Sequence, residues 1–297
     1  MMGRVLAIGN FDGVHLGHQA ILSEARKLAG PDGTVIAVTF WPHPTSIVRP
    51  SETPALLCRL SDRVRLLKAG GADEVSIVEF THTLASTPPQ DFVERVLCSL
   101  HPSDVVVGEN FRFGVGAQAG GQQMSDYAQG RFQVTVMPLL AHQGRISSSR
   151  IRTALVAGDV EQAAGMLGRF FRYQGIVVLG DQRGRELGFP TANLTVPDRY
   201  ACPADGVYAG YLHWESETWP AAISVGTNPT FDGDTRRVEA YALDQCDLHL
   251  YGDKVGVDFV ARLRSQMRFS SPQDLISQMN HDVEATRKAL TSTPGRS

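Results

Sequence analysis

The rhythm of apolar runs changes once along this chain, near Gly168, and that change limits the available folds more than any other feature. Before it, the runs Arg4 to Ile8, Thr34 to Phe40, Glu74 to Val78, Asp104 to Val107 and Gln133 to Met137 read as strands. Gln19 to Ala29, Leu60 to Ala69 and Pro89 to Leu100 carry apolar residues at helical spacing. Strands separated by helices imply an α/β unit whose parallel sheet is covered on both faces. After Gly168 come Tyr173 to Val178, Gly206 to His213, Trp219 to Val225, Arg237 to Leu243 and Lys254 to Leu263, β-rich runs punctuated by Gly, Pro and Asn. No helix of useful length interrupts them, so an all-β antiparallel barrel or sandwich is expected. Arg150 to Leu167 reads as a helix joining the halves. Pro272 to Leu290 reads as a last helix that packs Leu275, Ile276, Met279, Val283 and Leu290 on the sheet. The expected domains are 1–168 and 169–297, each long enough to bury its own core, and Thr291 to Ser297 is expected to be a disordered tail.

Charge and cysteine content exclude several function classes. A formal net charge of -3 with interspersed signs offers no long-range attraction for nucleic acid or an anionic membrane, so any anion site must be local. The four cysteines, Cys58, Cys98, Cys202 and Cys246, form no CxxC pair, which argues against a zinc site or a disulfide framework. The N-terminal apolar run stops at Gly9, and no segment approaches the roughly 20 apolar residues that span a bilayer. The expectation is a soluble cytoplasmic protein with small-molecule substrates, no nucleic-acid or membrane partner, and an oligomeric state left open.

The segment GNFDGVHLGH, Gly9 to His18, follows an expected strand and opens an expected helix. Amides at a helix N-terminus are unpaired and partly positive, so a phosphate there meets donors already aimed at it. Gly9, Gly13 and Gly17 permit tight turns, and His15 and His18 add donors for phosphate oxygens. A solitary histidine beside a turn usually serves a local hydrogen bond. Two histidines three apart among three glycines are harder to explain that way. The HxGH pattern resembles the signature of the nucleotidylyltransferase superfamily, which implies a Rossmann-like sheet and a triphosphate held by Gly9, Phe11, Asp12 and Gly17, with His15 and His18 stabilising charge at the α-phosphate.

Three further blocks, TFWPHP (Thr39 to Pro44), VGENFRFG (Val107 to Gly114) and ISSSRIR (Ile146 to Arg152), resemble the FMN adenylyltransferase branch. The resemblance implies catalytic Asn110, flavin-side Asn110, Arg112 and Phe113, and phosphate-side Ser148, Ser149 and Arg152. Hydroxyls and a guanidinium ahead of a helix also make chemical sense as an anion clamp.

In the second half, GIVVLGDQRGRELGFPTANL ends in PTAN, read as a rigid turn displaying Thr191 and Asn193. Hard oxygen ligands two residues apart can face one Mg²⁺, with ATP phosphates completing its shell. PTAN alone would be an ordinary turn. The whole run, followed by GVYAGYL, VGTNPTF, VEAY, DLHLYG and FVARLR, resembles the riboflavin kinase family. That resemblance implies a six-stranded barrel, ATP contacts at Gly180 and Arg185, a flavin contact at Arg264, and Glu239 as the base that accepts the riboflavin 5′-hydroxyl proton. Taken together, the chain resembles bifunctional riboflavin kinase/FMN adenylyltransferases, with riboflavin, FMN, FAD, ATP and Mg²⁺ as the implied substrates, products and cofactor. A single-activity paralogue and a flavin-sensing regulator stand as the alternatives, and motifs present in both halves weigh against each.

Overall fold

The computed structural model describes residues 3–140, 144–179, 189–195, 197, 199–227, 236–245 and 248–292. By contact density the chain divides into two compact units, Met1–Ser148 and Ser149–Ser297. The first is built on a parallel sheet of β1 (Arg4–Ile8), β2 (Thr34–Trp41), β3 (Glu74–Glu79), β4 (Asp104–Gly108) and β7 (Gln133–Met137), in the order β3-β2-β1-β4-β7. Two-residue strands β5 (Arg112–Phe113) and β6 (Ala119–Gly120) form a separate pair. β1 is the hinge of this order, because β2 and β3 lie to one side of it and β4 and β7 to the other. Ligands of open α/β sheets bind at such a switch point, outside the carboxyl ends of the strands. Its central strands alternate between two cores, Leu6, Ile8 and Val105 on one face and Val5, Ala7 and Val106 on the other.

Several helices differ from expectation for local reasons. The first begins at Leu16, because His15 caps it. Pro89 to Leu100 is helical throughout but widens to a π turn over Val93–Leu97 and tightens again at Cys98–Leu100. A helix at Gly121–Ala128, unmarked in the sequence pattern, buries Met124 and Ala128. Arg150 to Leu167 is two helices, Ser148–Ala157 and Val160–Leu167, broken where Gly158 takes φ 79° and Asp159 caps Gln162.

The second unit is a closed antiparallel barrel of β8 (Phe171–Val178), β9 (Ala192–Thr195), β10 (Gly206–Trp214), β11 (Glu217–Thr227), β12 (Arg236–Ala242) and β13 (Lys254–Arg264), in the order β10-β11-β12-β9-β8-β13. β9 corrects the reading of PTAN as a turn alone, since Asn193 lies inside a strand. The final helix, Pro272–Ser292, extends into the expected tail; residues 293–297 lie outside those described. Its most buried side chains are polar, Asp282 and Thr286, while the expected apolar stripe is only half-buried. Among the described residues Cys58, Cys98 and Cys202 form no disulfide, and burial pushes the Cys202 thiol up to about 12. No helix among the described residues is long and apolar enough to cross a membrane.

From Ser149 on, these two helices are part of the barrel unit. Ala164 packs with Phe170 and Val260, Ala204 N–H donates to Leu155 O at 2.8 Å, and Leu155, Val160, Met166 and Leu167 are fully buried. Each such side chain contributes roughly 1.5–3 kcal/mol. A fragment beginning at Ser149 is therefore expected to be more stable than one beginning at Arg169 by about 3 kcal/mol or more, and so to unfold at a higher urea midpoint. Equal midpoints would show that these helices add nothing to the barrel.

On the outer barrel wall, Arg172 grips Asp258 through Nε and Nη2 at 2.5 and 2.6 Å, and His213 Nε2 meets the same carboxylate at 2.9 Å. Burial alone would push the Asp258 carboxyl up, but the bonds from Arg172 and His213 outweigh it and hold it below the ordinary range. Its stabilisation is therefore complete above the unfolded value of about 3.9 and is lost as pH falls through the lower folded value. Asp258→Asn is expected to cost about 2 kcal/mol at neutral pH and to flatten the acid limb of a urea-midpoint-against-pH curve below about pH 4. An unchanged acid limb would refute this.

Candidate active sites

The turn after β1 has a strained backbone. Gly9 N–H donates to Val38 O, and the chain then takes left-handed φ values at Phe11 (52°), Gly13 (80°) and Val14 (40°). Such φ values at two non-glycine residues cost about 1–3 kcal/mol each and persist only where surroundings enforce them. His15 caps the following helix, its Nδ1 accepting from His18 N–H at 3.3 Å. With Nδ1 accepting, the neutral ring carries its proton on Nε2. The His15 and His18 rings stack with centroids 3.6 Å apart and planes 14° apart, and Phe11 supports His18 edge-on at 5.1 Å. Gly17 makes the stack fit, since a Cβ there would come within 3.1 Å of the His15 ring.

The other residues expected at this site divide. Ser148 Oγ donates to Asp12 O at 2.9 Å, which ties it to the turn. Asn110 is exposed just past the carboxyl end of β4, the strand next to β1 at the switch point. Asp12 is 1% exposed, and its carboxylate accepts from Leu57 N–H at 3.0 and 3.2 Å. It orders the turn from within, where a phosphate could not reach it without like-charge repulsion. Arg112 donates to Glu109 O and Phe111 O, and Phe113 is buried among Phe92, Phe111 and Tyr127, a core position. Ser149 (exposed) and Arg152 (half-buried) begin the first helix of the second unit.

In the barrel, strand register assembles the second group. Glu239 on β12 pairs with Asn193 on β9 and with Ser224 on β11, so three polar side chains form a row across three strands. Val238 and Ala240, the flanking residues, are buried at 0% and 1%, so Glu239 points away from the barrel interior. Asn193 Nδ2 donates to both Thr191 O and Thr191 Oγ1 at 3.2 Å, which turns its Oδ1 away from Thr191. Phe189 packs edge-on against Tyr241 at 5.3 Å and closes one side. Arg264 commits its fork to the final helix, with Nε and Nη2 on the Asp282 carboxylate at 2.9 and 2.6 Å. Gly180 and Arg185 lie outside the described residues.

Residues 1–150 match the family model described as FAD synthetase, and residues 167–290 match the one described as riboflavin kinase. The chain belongs to the bifunctional riboflavin kinase/FMN adenylyltransferase family. Relatives of that name are 36% identical in Listeria monocytogenes (96% of this chain, 92% of the relative) and 35% identical in Escherichia coli K12 (96% and 92%). The Bacillus subtilis relative is 34% identical over 94% of this chain and 90% of its own length. A solved structure from Streptococcus pneumoniae, described as a macrolide-efflux protein, superposes with a TM-score of 0.88 at 33% identity, covering 96% of this chain and 93% of that one. As a member of this family the chain phosphorylates riboflavin to FMN and adenylylates FMN to FAD, with ATP as co-substrate in both steps.

Two features of this bifunctional enzyme escaped the sequence reading. Ser224 joins the row beside Glu239 only through register. Arg63, on the helix Leu60–Ala69, is 0% exposed and lies beneath the Gly9–His15 turn, its Nη2 3.8 Å from Asp12 Oδ1. A signal for it was present: Arg63 falls between Leu60 and Leu67 on the face that Val64 shares, a charge within the apolar stripe.

Proposed function

We propose that adenylyl transfer takes place at the carboxyl ends of β1 and β4 and riboflavin phosphorylation on the outer wall where β11, β12 and β9 meet, with residues 1–168 and 169–297 as the two functional modules. At the first site the FMN phosphate is itself the nucleophile, so the protein's part is to position two phosphates and offset the charge that develops. The His15 cap supports this role most directly. With Nδ1 accepting from the helix, the ring's donor is Nε2–H, a group suited to a phosphate oxygen, and His18 stacks alongside. Gly9, Phe11 and Gly17 shape the turn, Asp12 braces it, and Ser148, Ser149 and Arg152 serve the nucleotide phosphates. Asn110 and Arg112 face the flavin side, with Phe113 supporting them from the core.

At the second site Glu239 accepts the proton of the riboflavin 5′-hydroxyl as that oxygen attacks the γ-phosphorus of ATP. Asn193 Oδ1 and Thr191 Oγ1 are hard oxygens of the kind that suit Mg²⁺, with ATP phosphates completing its shell; to hold one ion together the Asn193 amide would give up its bonds to Thr191 and present Oδ1 instead. Bound there, the ion would neutralise phosphate charge. Arg264 acts through the final helix that it anchors, Gly180 and Arg185 belong to the ATP side, and the protein works in the cytoplasm on small molecules. Purified protein given riboflavin, ATP and Mg²⁺ is expected to yield FMN first and FAD after it, resolved by chromatography, and excess EDTA is expected to stop both. FAD formation without an FMN phase, or FMN formation undiminished by EDTA, would overturn the reading.

A further inference from the structure

The GNFDGVH turn is strained, and what enforces it lies one layer down. Arg63 Nη1 donates to Thr39 Oγ1 at 3.3 Å and to Phe40 O at 3.1 Å, and its guanidinium lies 5.7 Å from the Trp41 ring centroid. Thr39, itself fully buried at the end of β2, donates its hydroxyl to Asn10 O at 3.0 Å. Arg63 Nη2 faces the Asp12 carboxylate at 3.8 Å, and that carboxylate also takes the Leu57 amide. One buried guanidinium is thereby linked to Asn10 and to Asp12, the two residues flanking left-handed Phe11. Nε and Nη2 of Arg63 are buried without a hydrogen-bond partner among the described residues. A cation taken out of water with only part of its donors satisfied is expensive to keep, so a purely structural brace would be better served by an apolar side chain of similar size.

We infer that Arg63 is a positioning residue for adenylyl transfer: acting through Thr39 and Asp12, it holds the Gly9–His15 turn in the left-handed conformation that aims its amides and the His15 cap at the nucleotide phosphates. Arg63 touches no substrate. Its effect falls on how often the turn is ready for ATP, because a site whose competent state is only partly populated binds weaker by that fraction. The inference rests on the assignment of the Gly9–His18 turn to adenylyl transfer.

The test uses the full chain and reads both activities. Thr39→Val keeps shape and removes the link to Asn10. It is expected to raise the KM for ATP in FAD synthesis about tenfold with a smaller change in kcat. Arg63→Met is expected to lower kcat/KM for FAD synthesis by about 10²-fold, and Arg63→Lys to recover part of that loss. Riboflavin phosphorylation by the same molecules is the internal control and should stay at the parental rate. Parental KM for ATP in Thr39→Val would overturn the inference, as would Arg63→Lys behaving like Arg63→Met or parallel loss of both activities. If Arg63→Met fails to fold, the Thr39→Val split decides. A His15→Ala, His18→Ala protein assayed alongside separates the two levels. If it still makes FAD, the site assignment itself fails. If it does not while the Arg63 and Thr39 variants behave as the parent, only the role of Arg63 falls.

Discussion

Replacing His15 and His18 together with alanine is expected to abolish FAD synthesis from supplied FMN and to leave riboflavin phosphorylation at the parental rate. On the proposed assignment each imidazole meets the negative charge that grows as pyrophosphate leaves, and loss of one such donor costs on the order of 10²–10³ in rate. The two losses should not multiply in full, because the rings are stacked at 3.6 Å and the amide of one is capped by the other. His15→Ala also removes a helix cap, worth about 1 kcal/mol, so folding must be controlled. His15→Asn provides that control: its amide oxygen can still cap the helix, while the Nε2 donor is gone, and adenylyl transfer should fall nearly as far. The assay is chromatographic separation of FAD from FMN, on protein whose circular dichroism matches the parent. Normal FAD synthesis in the folded double variant would remove the histidines from the mechanism.

Glu239→Gln is expected to do the converse. Glutamine keeps the length and strand register of the side chain, so the row with Asn193 and Ser224 survives, but an amide cannot accept the hydroxyl proton. Kinase turnover should fall by roughly 10²–10⁴, the span that a positioned base contributes. FAD formation from supplied FMN should be unchanged. Parental phosphorylation in this variant would make Glu239 an ordinary strand carboxylate and require another base. The two variants thus separate the activities in opposite directions, and mixing them should restore conversion of riboflavin to FAD through free FMN.

Much of this was legible in the chain. The five strands of the parallel sheet stand within a residue or so of the apolar runs that announced them; β1, β2 and β4 are buried on both faces and show a continuous run of Val, Ile and Ala, while the edge strands β3 and β7 are half-buried and mix in Ser, Thr, Glu and Gln. HxGH was legible because a glycine-rich strand-to-helix turn is written in consecutive residues. β9 was not, since Ala192–Thr195 is too short to show alternation and its place between β12 and β8 follows from barrel closure. The helix Gly121–Ala128 opens with Gly121, Gln122 and Gln123, which give no apolar period at its start.

The sequence by itself determined the two architectures and the change between them, and nominated the residues proposed to hold phosphate or accept a proton, because periodicity, glycine placement and side-chain chemistry act over a few neighbouring positions. Only the tertiary structure decided which of those groups meet. It set Asn193 opposite Glu239, buried Asp12 and Phe113, spent the fork of Arg264 on Asp282, and put the guanidinium of Arg63 under the Gly9–His15 turn. Each of these depends on partners far apart in the chain, and the cost of burying a polar group is settled only when its partner is in place.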